Sequence, residues 1–166
     1  MSSSGVSGGA PGPWRVSGRV VLDASGAPVF RGWRVEKVGL TGRRFSVLAD
    51  DGSAWSVRTI GVTVAQLLVE GPGGVLSLNR RAGSRDRDVV FLGDRPGSVD
   101  SSGESGFRAS ERRFVGRTRV RRGKLVLEIV GGSPDAAGVD GRLLAAACAV
   151  CGHVDASRDL RGTLRG

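Results

Sequence analysis

The chain has 166 residues, enough for one domain with a hydrophobic core, and its formal net charge is +9. Its two cysteines are too few for a disulfide framework. No apolar run approaches the roughly 20 residues that a membrane-spanning helix needs. Composition therefore argues against a small disulfide-stabilised protein and against a helical membrane protein. Nearly all basic residues are arginines, a bias that a GC-rich bacterial genome would also produce, so the charge alone does not establish an anionic partner.

Three segments differ in composition along the chain. Residues 1–13 are rich in Ser, Gly and Pro and carry no charge and no apolar run, so we expect a disordered lead-in rather than a signal peptide or an anchor. Residues 14–154 are expected to form a single β domain, and residues 155–166 a polar C-terminal tail. We expect the protein to be cytoplasmic.

Alternating apolar and polar residues predict many short strands. Turn signals separate them, of which Asp50-Asp51-Gly52-Ser53 and 121–124 are typical hairpin turns. Residues 62–70 fit either a helical turn or a strand, and their β-branched residues favour the strand. The predicted strands cover residues 14–23, 28–38, 44–49, 54–60, 62–70, 75–80, 88–92, 112–120 and 125–130.

One strongly helical stretch, at about residues 140–152, follows the predicted strands. Its residues from Leu143 to Cys151 are apolar on every side, which predicts a helix that is buried all round. Asp140 is placed to be its N-cap, and Gly152 is placed to be its C-terminal glycine.

The number of strands and the helix together predict the fold class. About 10–12 mainly antiparallel strands form a sheet long enough to close, and a barrel of that size can enclose a helix. We therefore expect an all-β closed barrel around a buried hydrophobic C-terminal helix.

The pattern of strands, turns and terminal helix also resembles a known superfamily. The segments that carry the resemblance are 21–26, 48–52, 69–74 and 143–151. They are similar to the tubby C-terminal-like superfamily, which includes the phospholipid scramblases and the LURP-one-related proteins. The resemblance implies a twelve-stranded barrel around a C-terminal helix, and a binding or scaffold module that recognises anionic lipid headgroups.

The densest positive charge in the chain lies between residues 108 and 124, where Glu111 is the only acidic residue. Arginine suits phosphate because its planar guanidinium can bind two oxygens at once. The cluster predicts an anion-binding outer face, although a solvated barrel surface would have the same composition. Its candidate residues are Arg108, Arg112, Arg113, Arg117, Arg119, Arg121, Arg122 and Lys124. A second cluster, Arg80, Arg81, Arg85 and Arg87, is diluted by Asp86 and Asp88.

Cys148, Cys151 and His153 do not make a convincing catalytic or metal site. A zinc site needs about four ligands, and the chain has no other cysteine or histidine. We expect the thiols to be buried core atoms and His153 to cap the helix end. No metal, cofactor or catalytic residue is predicted, so we expect no enzymatic activity.

The sequence therefore predicts a non-enzymatic binding or scaffold module. Its first candidate partner is an anionic phospholipid or membrane surface, bound through the arginine-rich face. A nucleic-acid-binding barrel is a less favoured alternative, because only Phe107 and Phe114 could stack on bases in this region. The third hypothesis is a structural or protein-interaction domain whose positive charge is incidental. We expect a monomer.

Overall fold

The computed structural model of the protein describes residues 11–31, 33–38, 44–60, 65–93 and 112–156. Eleven strands precede two α-helices in the described residues. The helices are α1 (Pro134–Ala137) and α2 (Gly141–Cys151). The strands are β1 (Trp14–Ser17), β2 (Val20–Leu22), β3 (Pro28–Arg31), β4 (Arg34–Val38), β5 (Arg44–Leu48), β6 (Ala54–Thr59), β7 (Gln66–Gly71), β8 (Gly74–Arg80), β9 (Arg87–Gly93), β10 (Arg113–Arg121) and β11 (Lys124–Ile129).

The eleven strands form one antiparallel sheet in the order β3-β2-β1-β11-β10-β9-β8-β7-β6-β5-β4. Strands β4 to β11 follow one another as a meander. The first strand joins the sheet beside the last, with Trp14 opposite Leu127 and Val16 opposite Leu125. The predicted turn at residues 50–53 joins β5 to β6, and the predicted turn at 121–124 joins β10 to β11.

The predicted closed barrel is wrong in one respect, because the sheet is an open, curled half-barrel. Since eleven is an odd number and all neighbours are antiparallel, the edge strands β3 and β4 run in the same direction. Closure would need them to pair as parallel strands, which requires a crossover connection of about a dozen residues or more. Only two residues separate Arg31 from Arg34, so this pair cannot form.

Two predicted strands are each divided in the structure. The predicted strand 14–23 breaks at Gly18, whose φ of +59° makes a turn between β1 and β2. The predicted strand 28–38 is split into β3 and β4, which lie at opposite edges of the sheet. In the segment predicted at 62–70, residues 66–71 form β7 and residues 61–64 lie outside the described part of the chain.

Helix α2 is surrounded by the sheet, as its composition predicts. Every residue from Leu143 to Cys151 is buried. The helix contacts strands from both halves of the sheet, including β2, β3, β7 and β8. Asp140 is the N-cap, since its Oδ1 accepts hydrogen bonds from the backbone N–H groups of Arg142 (2.8 Å) and Leu143 (3.3 Å). None of the helices in the described residues is both long and apolar enough to cross a membrane.

Gly152 does not end the helical segment as predicted. Its φ and ψ are −61° and −43°, so the chain continues into a π-helical turn, Gly152–Ala156. A Cβ at this position would lie 3.2 Å from Cγ1 of Val16. Glycine is therefore favoured at this position because β1 approaches closely, and not because the helix ends in a left-handed conformation. The turn buries Asp155, the first residue of the predicted polar tail.

Candidate anion-binding site

The predicted basic residues are spread along β10 and its turn. Arg108 lies outside the described residues, and Arg112 is exposed directly before β10. A β-bulge between Phe114 and Gly116 shifts the register of β10 against β9. The bulge allows Val115 to be buried although Arg113 and Arg117, two positions away on either side, are not.

Arg113 is engaged by helix α1. Its Nε donates to the backbone carbonyl of Ala137 at 3.3 Å, and its terminal nitrogen donates to the carbonyl of Gly138. Its guanidinium carbon also lies 4.4 Å from the centre of the Phe91 ring. These contacts satisfy carbonyls at the C-terminal end of α1, where positive charge is favourable. Arg113 therefore has a structural role.

Arg117 and Arg119 are paired with acidic residues of the neighbouring strands. Nε of Arg117 lies 3.0 Å from Oδ1 of Asp88 on β9, and Nε of Arg119 lies 3.1 Å from Oε1 of Glu128 on β11. The second pair is an ion pair without a hydrogen bond from Nε. The predicted basic face of β10 is thus partly neutralised by its own neighbours.

The remaining candidates are the tip cations, Arg121, Arg122 and Lys124, on the β10–β11 turn. All three are exposed, and within the described ranges their side chains make no ion pair or hydrogen bond. Arg121 and Lys124 are opposite each other in the last pair of the hairpin, with Arg122 and Gly123 as the two-residue loop. The structure therefore concentrates uncompensated positive charge at one hairpin tip.

Arg122 adopts a backbone conformation that is uncommon for its residue type. Its φ is +54° and that of Gly123 is +79°, as in the type I′ turns that favour Asn-Gly. It is the only residue other than glycine with a positive φ among the described residues. A left-handed conformation costs a residue with a Cβ roughly 1–2 kcal/mol. The tip thus carries a positive charge at a position where asparagine would be more stable.

A cleft lies beside the tip, where the β4 edge faces the β1–β2 turn. We call this cavity of about 530 Å³ the seam cleft. Its apolar walls include Val16, Trp33, Val35 and Leu125. It reaches the π-helical turn after α2 at Gly152, His153 and Ala156, and Gly18, Arg19, Arg34 and Gly123 also line it. The edge strand β3 ends at Arg31 and the opposite edge strand β4 begins at Arg34. The Cα atoms of these residues are within about 11 Å because they are three positions apart, so the two edges of the sheet approach each other at the cleft.

The polar groups of the seam cleft are mostly hydrogen-bond donors. Arg19 is exposed and its side chain makes no hydrogen bond or ion pair with another described residue. Arg34 forms an ion pair with Glu36, with Nε 2.9 Å from Oε2, but both side chains are more than half exposed, so the pair is weak. The buried indole N–H of Trp33 has no acceptor within the described part of the chain. An anion would complement Arg19 and Arg34, whose side chains are exposed at the margin of the cleft.

A buried ion-pair cluster, not predicted from the sequence, lies at the π-helical turn. Arg87 donates from Nε to Oδ2 of Asp155 at 2.7 Å and from a terminal nitrogen to Oδ1 at 3.0 Å. Arg80 also donates to Oδ1, at 2.9 Å. Burial alone would lower the pKa of Arg87, but its hydrogen bonds with Asp155 and the nearby negative charge raise it overall. The cluster attaches the turn to β8 and β9.

Both cysteines are buried core residues, as predicted. Cys148 and Cys151 are free and fully buried. Burial, followed by the negative charge of Asp155, raises the pKa of Cys151 to about 12, and burial raises that of Cys148 well above its ordinary value. A thiol that stays protonated is neither a nucleophile nor a metal ligand. In the described ranges no three His, Cys, Asp or Glu residues are grouped as a metal site would require.

No protein-family model matches the chain, and no curated protein or solved structure is significantly similar to it. The resemblance to the tubby C-terminal-like superfamily therefore stays a prediction. The curled sheet around a C-terminal helix is shown by the structure itself.

Proposed function

We propose that this protein is a non-enzymatic binding module that associates with anionic phospholipid surfaces through its tip cations. The observation that carries the proposal is that Arg121, Arg122 and Lys124 project from one exposed turn without a compensating acid in the described residues. A cationic tip can approach a flat membrane with its charges free, whereas Arg117 and Arg119 on the β10 face are already paired with Asp88 and Glu128. Each basic side chain near an anionic surface contributes about 1 kcal/mol.

The backbone of Arg122 supports the same proposal. Its left-handed conformation is unfavourable for arginine, and no contact within the described part of the fold uses its charge. Residues in sparsely populated backbone conformations are common at functional sites. A role in binding gives a reason for arginine at this position.

Nucleic acid would be attracted by the same charge but is less well suited to this surface. The exposed large apolar residues of the described chain are Val29, Val38, Phe114 and Val130, so only one of them is aromatic. Single-stranded nucleic acid is generally bound by several stacked aromatic residues. A protein-interaction domain with incidental charge is the remaining alternative.

Vesicle co-sedimentation tests the proposal. Vesicles of phosphatidylcholine with and without phosphatidylserine are compared, using the wild type and the tip variant Arg121→Gln/Arg122→Asn/Lys124→Gln. We expect the wild type to bind only the anionic vesicles, and the tip variant to bind about 100-fold more weakly. Added salt should weaken the wild-type binding.

The matched control is Arg15→Gln/Lys37→Gln/Arg44→Gln. It removes the same charge from three exposed strand residues that are not in the tip. We expect it to retain most of the affinity, since the proposal depends on position rather than on net charge. Equal losses in the two variants, or no wild-type binding, would refute the proposal. A tip-dependent shift of oligonucleotides without vesicle binding would favour the nucleic-acid alternative.

A further inference from the structure

The seam cleft has features that surface binding by the tip cations does not use. Its volume of about 530 Å³ is within the range of roughly 300–1,000 Å³ that is common for small-molecule sites. Its apolar walls, Val16, Trp33 and Leu125, belong to the body of the fold, whereas Arg19 and Arg34 are at its exposed margin. The cleft is therefore apolar on one side and cationic on the other.

The guanidinium groups at the margin of the cleft keep most of their capacity to bind an anion. Among the described residues Arg19 forms no ion pair or hydrogen bond, and the exposed pairing of Arg34 with Glu36 is weak. This weak pairing leaves the terminal nitrogens of Arg34 able to bind another anion.

The backbone keeps the cleft open. Gly18, Gly123 and Gly152 line it, and the two turn glycines have φ values of +59° and +79°. A side chain added at Gly18 would meet no atom within 4 Å, so the space beside this turn is empty. At the base, the π-helical turn is held by the buried Arg87–Asp155 pair, which gives the cleft a fixed floor.

We propose that the seam cleft binds a single-chain anionic amphiphile, with its apolar chain against Val16, Trp33 and Leu125 and its phosphate or carboxylate head between Arg19 and Arg34. This inference goes beyond the proposed function, because it requires neither a bilayer nor the tip cations. The same chemistry is found in a lipid drawn from a membrane and in a free amphiphile. Both sources can be compared experimentally.

Calorimetry and tryptophan fluorescence with monomeric octyl phosphate provide the test, with inorganic phosphate and octyl glucoside as the anionic and neutral controls. We expect one octyl phosphate to bind per chain, and each control to bind at least about tenfold more weakly, because each lacks one half of the complementary chemistry. Trp33→Phe should remove most of the fluorescence change, which would locate the ligand beside Trp33 rather than Trp14 or Trp55.

Variants separate the cleft from general charge. Arg19→Gln should weaken octyl phosphate binding about tenfold, whereas Arg15→Gln, which removes an equivalent exposed charge from β1, should change it less than about twofold. Ala156→Leu should weaken binding by filling the cleft without altering charge. Equal affinities in the wild type, Arg19→Gln and Ala156→Leu would overturn the inference, as would the absence of saturable binding by the folded wild type.

The vesicle assay distinguishes the two proposals. The tip variant should keep its octyl phosphate affinity within about threefold, because Gly123 is the residue of the turn that lines the cleft, whereas Arg121, Arg122 and Lys124 do not line it and are exposed to solvent screening. Arg19→Gln and Ala156→Leu should keep most of the vesicle binding if the tip acts alone. If they lose vesicle binding and octyl phosphate binding together, the membrane is the source of the ligand. If the two variants lose only octyl phosphate binding, the ligand is a free amphiphile.

Discussion

Arg87 and Asp155 form a two-point ion pair in which neither side chain is exposed to solvent. The Nε–Oδ2 and terminal nitrogen–Oδ1 distances are 2.7 and 3.0 Å. The remaining terminal nitrogen of Arg87 donates to the carbonyls of Ala65 and Leu78, each at 3.3 Å. The guanidinium is thus surrounded by acceptors, and the pair joins the π-helical turn Gly152–Ala156 to the middle of the sheet.

Asp155→Ala should destabilise the fold strongly. It leaves the buried charge of Arg87 without its carboxylate, and breaking a buried pair in this way typically costs about 3–5 kcal/mol. Urea unfolding followed by circular dichroism gives the free energy of unfolding. Glu36→Gln is the control, because it breaks the exposed pair with Arg34 and should cost at most about 1 kcal/mol. Similar losses in both variants would contradict the structural role of the buried pair.

Stability should decrease in acid partly through Asp23. Burial would raise the pKa of this carboxyl, but hydrogen bonds from the Ser25 side chain and from the backbone N–H groups of Ser25 and Ala27 lower it overall. Its contribution is therefore present above the unfolded pKa of about 3.9 and is lost as the pH falls through the lower folded value. The difference in unfolding free energy between wild type and Asp23→Ala should narrow below about pH 4. A difference that does not vary with pH would show that Asp23 contributes nothing through its charge.

The two thiols should be inert in the native state. With the pKa of Cys151 raised to about 12 and both sulfurs buried, native protein at pH 8 should react with a disulfide reagent only at the rate of unfolding. Adding guanidinium should release two equivalents within the mixing time. Rapid stoichiometric reaction of the native protein would show that α2 is accessible from the open side of the sheet.

Arg122→Asn should separate stability from binding. Asparagine tolerates the left-handed φ of the turn, so we expect stability to rise by about 1 kcal/mol and the melting temperature by about 2–4 °C. Vesicle binding should weaken at the same time, because one tip cation is lost. Calorimetric melting and co-sedimentation on one preparation measure both. A fall in both quantities would mean that the arginine side chain stabilises the turn.

Local sequence patterns predicted the parts of the fold that local physics determines. Asp140 caps α2 because its side chain reaches N–H groups only two and three residues away. The apolar run from Leu143 to Cys151 has no polar side to expose, so its burial was predictable. The open edge of the barrel was not predictable, because it follows from the odd number of strands. The number is odd because the chain breaks at Gly18 and because β3 and β4 are separate strands.

The candidate site was harder to predict because its partners are distant in sequence. Arg117 pairs with Asp88, which is 29 residues away in sequence, and Arg87 pairs with Asp155, which is 68 residues away. A charge run cannot show which of its members have such partners. Arg87 is also followed by an acidic residue, which made it look like part of a solvated loop. Only the β10–β11 turn, a local feature, could be located in advance.

The position of β1 beside β11 fixes an order of events during synthesis. Strands β4 to β11 can pair in succession as they leave the ribosome, but Trp14 has to wait for Leu127 before its hydrogen bonds can form. Such long-range pairing makes folding slow. The first hairpin and the last helix should therefore become protected together and late, which pulsed hydrogen exchange would detect. The amino-terminal strands, which can pair only with one another until then, thus join the rest of the sheet after β11 is made, and the step that incorporates them also encloses α2.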